Sequence, residues 1–206
     1  GSVCAFIDSI CLEAGIRTGL YTSPHLVSIT ERVRIAGVDI GESEFARLAT
    51  DVRAVSEDLA AQGVLERVPT FFEQVTAIAL LAFAEAGVEL AILETGLGGR
   101  FDATTAANAE IAVITRIDLD HQEYLGDTIE QIAAEKAAII REDSHVVIGR
   151  QPEQALKVIR ERAFRVEAWV SSDLYDPWTV VPNEDGTVRI DTTRLIYPSV
   201  ELGLRG

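Results

Sequence analysis

Cysteine is scarce in this 206-residue chain: only Cys4 and Cys11 are present, too few for a disulfide framework and without the spacing of a zinc site. Both fall on one face of an expected helix, where two small apolar side chains are the ordinary reading. Basic residues are also few, with 18 Lys and Arg against 33 Asp and Glu, a formal net charge of −15. So acidic a chain repels phosphate backbones, which argues against nucleic acid as a partner. An anionic substrate would need a local cation or a metal to hold it. There is no run of about 18 apolar residues and no signal-peptide pattern, so the expectation is a cytoplasmic protein with no membrane partner. Internal repeats and low-complexity segments are missing too. The glycine-rich stretch "GLGG" at 96–99 lacks the GKS or GKT that would make it a phosphate loop.

What the chain does have is apolar material, 48% of its residues, enough for a sizeable core. Val3, Phe6, Ile7, Ile10, Cys11 and Ala14 recur at helical spacing, and Gly15 marks the stop. "RTGLYTSPHL" reads as a short strand entering a proline-broken loop, and "RVRIAGVDI" as an extended segment turning on Gly37. Residues 43–62 read as a helix, and "FFEQVTAIALLAFAEAG" as one apolar almost all round, hence buried between layers. "VELAIL" (88–93), "IAVIT" (111–115) and "HVVIG" (145–149) read as central strands of a parallel sheet covered on both faces. Helices at 128–140 and 152–163 alternate with them. The fold class is therefore α/β, a doubly wound, mostly parallel sheet flanked by helices. Beyond residue 165 the texture becomes period-2 around Glu184, Asp185 and Gly186, a β-hairpin signal. This divides the chain into a domain at 1–165 and a small β-rich appendage at 166–206. Both ends look abrupt, as in a piece of a longer chain.

Polar residues cluster just beyond the strand ends, where parallel sheets collect ligands. Glu94 follows "VELAIL"; Asp118, Asp120 and His121 follow "IAVIT"; Ser23 and His25 follow "TGLY". Each has a plain alternative, since such a Glu can be a solvated or capping residue and such a His a satisfied polar one. Lys136 is more informative. Its helical neighbours Ile132, Ala133, Ile139 and Ile140 place it on an apolar face, pointing inward. Either it snorkels or pairs with an acid, or its amine is neutralised and takes up CO2 as a carbamate able to bind a metal.

"TSPHL", "TFFEQVT", "LETGLGGRFDAT", "DLDHQEYLG" and "AAEKAAII", in this order and spacing, resemble the folylpolyglutamate synthase and dihydrofolate synthase branch of the Mur ligase superfamily. The likeness is strong over residues 1–150 and weaker beyond. It implies the ATP-binding central domain of that superfamily, related to phosphate-loop NTPases. The family's phosphate loop has the form GTNGKGS, and Gly1 and Ser2 match its last two residues, so the phosphate-binding lysine is not in this sequence. "LGLRG" stands where the family's C-terminal ligase domain normally begins.

By resemblance, Ser2 and Glu94 hold one Mg2+, while His121 and a carbamylated Lys136 hold a second. Thr70, Phe72, Asp102 and Ala103 match the family's pterin site, with Phe72 stacking on the heterocycle and Asp102 accepting its donors. From the residues alone, Phe72 is equally a core side chain. Ser23 and His25 match its mobile substrate loop. The implied activity is C–N bond formation: ATP phosphorylates a substrate carboxylate, and L-glutamate's amine attacks the acyl phosphate. Dihydropteroate or a reduced folate is the acceptor, and the complete enzyme is a monomer. Two positions depart from the family pattern. Arg116 stands where Ser or Asn is usual, and can pair with Asp118 or crowd the second metal; Thr105 stands where Asn is usual. Two rival readings remain: a pterin- and Mg2+-binding module that turns nothing over, and a Mur-type ligase for another acid.

Overall fold

The computed structural model describes residues 1–171, 179–183, 188–191 and 196–200. Helix α1 (Ser2–Glu13) is followed by Gly15 in the left-handed region, φ 79°, which turns the chain into β1 (Thr18–Tyr21). All four β1 residues are buried. Successive strand residues point to opposite faces, and β1 uses both. The Thr18 hydroxyl donates to the Asp8 carboxylate on α1, while a Cβ on Gly19 would lie 2.5 Å from the Phe83 ring on α3 (Phe71–Ala86). Helices therefore cover β1 from both sides, the doubly wound arrangement that the alternating pattern implies.

Strands β2 (Val33–Ile35) and β3 (Val38–Asp39) form a hairpin whose two turn residues, Ala36 (φ 49°) and Gly37 (φ 80°), both take positive φ, as a tight two-residue turn requires. With β4 (Leu90–Leu93) they make a sheet of order β3-β2-β1-β4, in which only β1 and β4 run parallel. Helix α2 (Glu42–Ala61) packs on α3. A second sheet, β5 (Ile111–Ile114), β6 (His145–Ile148) and β7 (Trp169–Val170), is wholly parallel. Its connections carry α4 (Gln122–Leu125), α5 (Ile129–Ala137) and α6 (Glu153–Arg165). Strands β8 (Thr179–Pro182), β9 (Val188–Asp191) and β10 (Ile196–Val200) pair antiparallel. The expected turn at 184–186 lies outside the described residues, between β8 and β9. No helix among the described residues is long and apolar enough to cross a membrane.

Three expectations are corrected. The parallel strands form two separate sheets: among the described residues β4 pairs only with β1, and β5 only with β6. Strand β5 is not covered on both faces, since Ile111 and Val113 are exposed while Ala112 and Ile114 are buried. On α1 only part of the apolar stripe packs, with Ile7 and Cys11 half-buried. Val3, Phe6 and Ile10 are exposed, and the buried residue is Asp8, satisfied by Thr18. Periodicity identifies a helix, but a partnered polar residue can outrank an apolar one for burial. Cys4 and Cys11 on the same helix are half-buried.

Two cores result. One joins Tyr21 and Val33 to Leu48 on α2 and Val75, Ala79 and Phe83 on α3; the other joins Ile114 and Val146 to Ile132 on α5 and Ile159 on α6. Ile132 is fully buried, whereas Ile111 on neighbouring β5 is 54% exposed. Ile132→Ala is expected to cost about 2–5 kcal/mol, and Ile111→Ala less than about 0.5 kcal/mol, measured as the shift of the urea unfolding midpoint. Equal costs would show that the second core is not where these contacts put it.

Candidate active site

The parallel register of β1 and β4 places Tyr21 opposite Leu93, and the Glu94 N–H donates to the Tyr21 carbonyl at 2.9 Å. The chains leaving the two strands therefore run side by side. The Ser23 N–H donates to Glu94 Oε2 at 3.2 Å, and the backbone nitrogen of Gly1, at the start of α1, lies against Glu94 Oε1. The Glu94 side chain is 21% exposed. Ser2, the first residue of α1, is exposed beside it. Three of the anticipated positions, Gly1, Ser23 and Glu94, thus meet.

The "TSPHL" loop is a built structure. It contains a cis Ser23–Pro24 peptide. The Glu31 carboxylate accepts from the backbone N–H groups of Leu26 (2.8 Å), Val27 (2.9 Å) and Ser28 (2.6 Å). These bonds, that of Leu26 first, hold the Glu31 carboxyl below its ordinary value, because they favour the charged form. The clamp leaves the Leu26 and Val27 side chains 91% exposed. His25 Nδ1 accepts from Arg32 Nε at 2.8 Å, so His25 faces a guanidinium. Arg32 is itself buried, with its charge 5.5 Å above the Phe71 ring, a cation–π contact that ties this loop to the start of α3.

Thr70 caps α3: its hydroxyl accepts from the Glu73 N–H, and Glu73 accepts from the Thr70 N–H. Phe72 turns inward, 6.1 Å from the Tyr21 ring, against Gly96, where a Cβ would come within 2.7 Å of it. Phe71 is the exposed member of the pair. Nothing in "FF" distinguishes them; the register set by the Thr70 cap does. Asp102 is buried and accepts from the Gly96 N–H (2.7 Å), the Thr104 N–H (2.9 Å) and the Thr104 hydroxyl (2.6 Å). It closes the glycine loop and caps the 3₁₀ turn at 103–107. Sequence reasoning missed this structural duty, and also Glu31 and Arg32; a carboxylate five residues after a proline loop gives only a faint signal of such a clamp.

Gly99 packs so closely on the end of α5 that a Cβ would meet the carbonyl oxygens of Glu135 and Lys136 at 2.8 and 3.0 Å. The loop after Glu94 thus touches the backbone of the Lys136 turn. Lys136 is half-buried, and no carboxylate among the described residues lies within 4.0 Å of it. His121 is exposed, holds φ 51° at the start of α4, and lies 3.6 Å from Asp120. Arg116 pairs with Asp118 at 3.6 Å on the surface. Neither His121 nor Lys136 reaches hydrogen-bond distance of Glu94, and among the described residues no three His, Cys, Asp or Glu side chains converge as a metal cluster. A cleft of about 430 Å³ lies between the 65–69 loop, the Glu73–Thr76–Leu80 face of α3 and Ala103 and Ala106. Of the anticipated pterin residues, only Ala103 lines it.

Residues 44–173 match the Mur ligase middle domain, and the chain belongs to that family. It is 42% identical over 186 residues to a dihydrofolate synthase/folylpolyglutamate synthase of Bacillus subtilis, covering 90% of this chain and 42% of the relative. Identity is also 42% over 163 residues to a probable bifunctional folylpolyglutamate synthase/dihydropteroate synthase of Haloferax volcanii, covering 79% of this chain and 19% of the relative. Among solved structures, Mycobacterium tuberculosis folylpolyglutamate synthase complexed with ADP and AMPPCP superposes with a TM-score of 0.87 at 34% identity, over 100% of this chain and 48% of that one. E. coli FolC in complex with DHPP and ADP superposes with a TM-score of 0.81 at 33% identity, over 98% and 46%. The chain therefore spans less than half the length of these relatives.

The Glu31 clamp gives a pH expectation. A carboxyl held below its ordinary value of 4.5 stays charged at that pH and is released only as pH falls through the lower folded value. The amide resonances of Leu26, Val27 and Ser28 are expected to titrate together with a midpoint below 4.5, and Glu31→Gln to abolish the transition. A common midpoint at or above 4.5 would contradict the clamp.

Proposed function

We propose that this chain is the metal- and phosphate-facing part of an ATP-dependent amide ligase of folate metabolism, which joins L-glutamate to dihydropteroate or a reduced folate. The observation that carries it is the seating of Glu94 at the end of β4, against the start of α1 and the Ser23 backbone. The names of the relatives and the ADP and DHPP of the matched structures support the same reading.

The residues suit a hard divalent cation at Glu94. That carboxylate is only partly exposed at the strand end, and Mg2+ is commonly held by one or two carboxylates together with phosphate oxygens and water. Ser2 supplies a hydroxyl beside it. Mg2+ there would neutralise charge on the transferring phosphoryl group. The start of α1, with its free N–H groups, favours the same anionic phosphates.

His121 and Lys136 form the second part of the proposal. The left-handed backbone of His121 is uncommon for a non-glycine residue, and such outliers gather at functional sites. Lys136 is a half-buried amine without a carboxylate partner, suited to form a carbamate with CO2 and release one proton. The C-terminal turn of α5 favours a cation over this anion, so the carbamate needs a positive partner nearby to persist. Thr70, Phe72, Asp102 and Ala103, with Ser23 and His25 across the loop, form the pterin-facing wall. Three bonds leave the Asp102 carboxylate one free acceptor position for a ring donor.

In the complete enzyme that carries this chain, ADP release is expected to require both glutamate and dihydropteroate or a folate. Glu94→Gln should lower kcat at least about 100-fold. Phe72→Ala should raise KM for the pterin substrate more than KM for ATP. Turnover independent of the pterin would remove the folate assignment. For Lys136, 13C-labelled bicarbonate is expected to give a carbamate carbon resonance that disappears in Lys136→Arg; an unchanged spectrum would leave Lys136 an ordinary amine.

A further inference from the structure

Between the 3₁₀ turn at 103–107, the end of α5 and the side of α6 lies a second cleft, of about 260 Å³. Neither Gly1, Ser23 nor Glu94 lines it. Three guanidinium groups do, those of Arg100, Arg141 and Arg162, against the single carboxylate of Glu142. In a chain of net charge −15 this concentration of cations is unusual.

The way these arginines are held matters more than their number. Arg34, Arg47 and Arg53 each meet a carboxylate on the surface, which cancels their charge. Arg141 and Arg162 are oriented by neutral acceptors. Arg141 Nη1 donates to the Thr105 carbonyl at 2.7 Å and to Asn108 Oδ1, and Arg162 Nη2 donates to the Ile140 carbonyl at 2.9 Å. A carbonyl fixes a guanidinium without neutralising it. Neither arginine lies within 4.0 Å of a carboxylate among the described residues, and Arg162 Nε is buried with no partner there. Arg100 is balanced by Glu135 at 2.8 Å, and the cleft stays net positive with both glutamates included.

Positioned guanidinium groups match tetrahedral oxyanions through paired N–H donors. The cleft is smaller than the roughly 300–1,000 Å³ of pockets for drug-sized ligands, which restricts it to a small anion. We propose that this cleft binds inorganic phosphate, held chiefly by Arg141 and Arg162. The site is independent of the ligase reading and does not require it.

The test is titration of the 206-residue chain with sodium phosphate at constant ionic strength, with sodium chloride as the balancing salt. Calorimetry gives the affinity, and the arginine Nε–H resonances give the location. Saturable one-site binding is expected, with the largest shifts at Arg141 and Arg162. Arg141→Gln should weaken it roughly tenfold or more. Glu142 makes no hydrogen bond among the described residues, so Glu142→Gln leaves the fold intact and should tighten binding several-fold. If Arg141→Gln fails to fold, Glu142→Gln decides. Shifts reproduced by chloride alone, shifts centred on Gly1, Ser23 and Glu94, or an affinity unchanged in Glu142→Gln would each overturn the proposal.

Discussion

A short glycine-rich segment, Gly96 to Gly99, lies between two separately packed cores, and the candidate site depends on it. Gly96 rests on Phe72 from the first core, Gly98 on Leu125, and Gly99 on Ile139 and the carbonyls of Glu135 and Lys136 from the second. A methyl group at any of the three would enter space already filled, in the last case by backbone that cannot swing away. Gly98 also takes φ 73°, which a side chain would strain. Glycine is therefore required by contact as much as by turn geometry. The same segment begins two residues after Glu94, so the acid and the helix of Lys136 are linked through a closely packed loop.

The position of Glu94 follows from strand register. With Tyr21 opposite Leu93, the next peptides on each strand meet, and a carboxylate there faces both the Ser23 amide and the start of α1. A slip of one residue would turn that carboxylate to the other face of the sheet. Asp102 performs the complementary task at the far end of the loop, bonding back to Gly96 while capping the next turn. Two acids, one half-buried and one buried, thus bracket the glycines. Only the first is partly exposed.

Charge is distributed to the same end. Among 33 acidic and 18 basic residues, Arg34, Arg47, Arg53, Arg100 and Arg116 pair with carboxylates at the surface, where such pairs contribute little to stability. Three arginines without a carboxylate partner among the described residues tie elements together. Arg32 is buried between His25 and the Phe71 ring and holds the loop after β1 against α3. Arg141 and Arg162 rest on carbonyl groups at the far side of the glycine loop.

Local pattern alone set the α/β alternation, the main helices and strands to within a few residues, and Glu94 as an acid beyond a strand, because periodicity, glycine stops and capping signals act over one or two turns of chain. It also carried the family motifs from which Gly1, Ser2, His121 and Lys136 were taken. Tertiary structure decided what those signals cannot reach. It selected Asp8 over Val3, Phe6 and Ile10 as the buried residue of α1, and turned Phe72 inward while leaving Phe71 out. It filled most of the acceptor positions of Asp102 and divided the parallel strands between two sheets. The reason is that burial and partnership depend on residues far apart in the chain, such as Thr18 for Asp8, whereas pattern reports only on near neighbours.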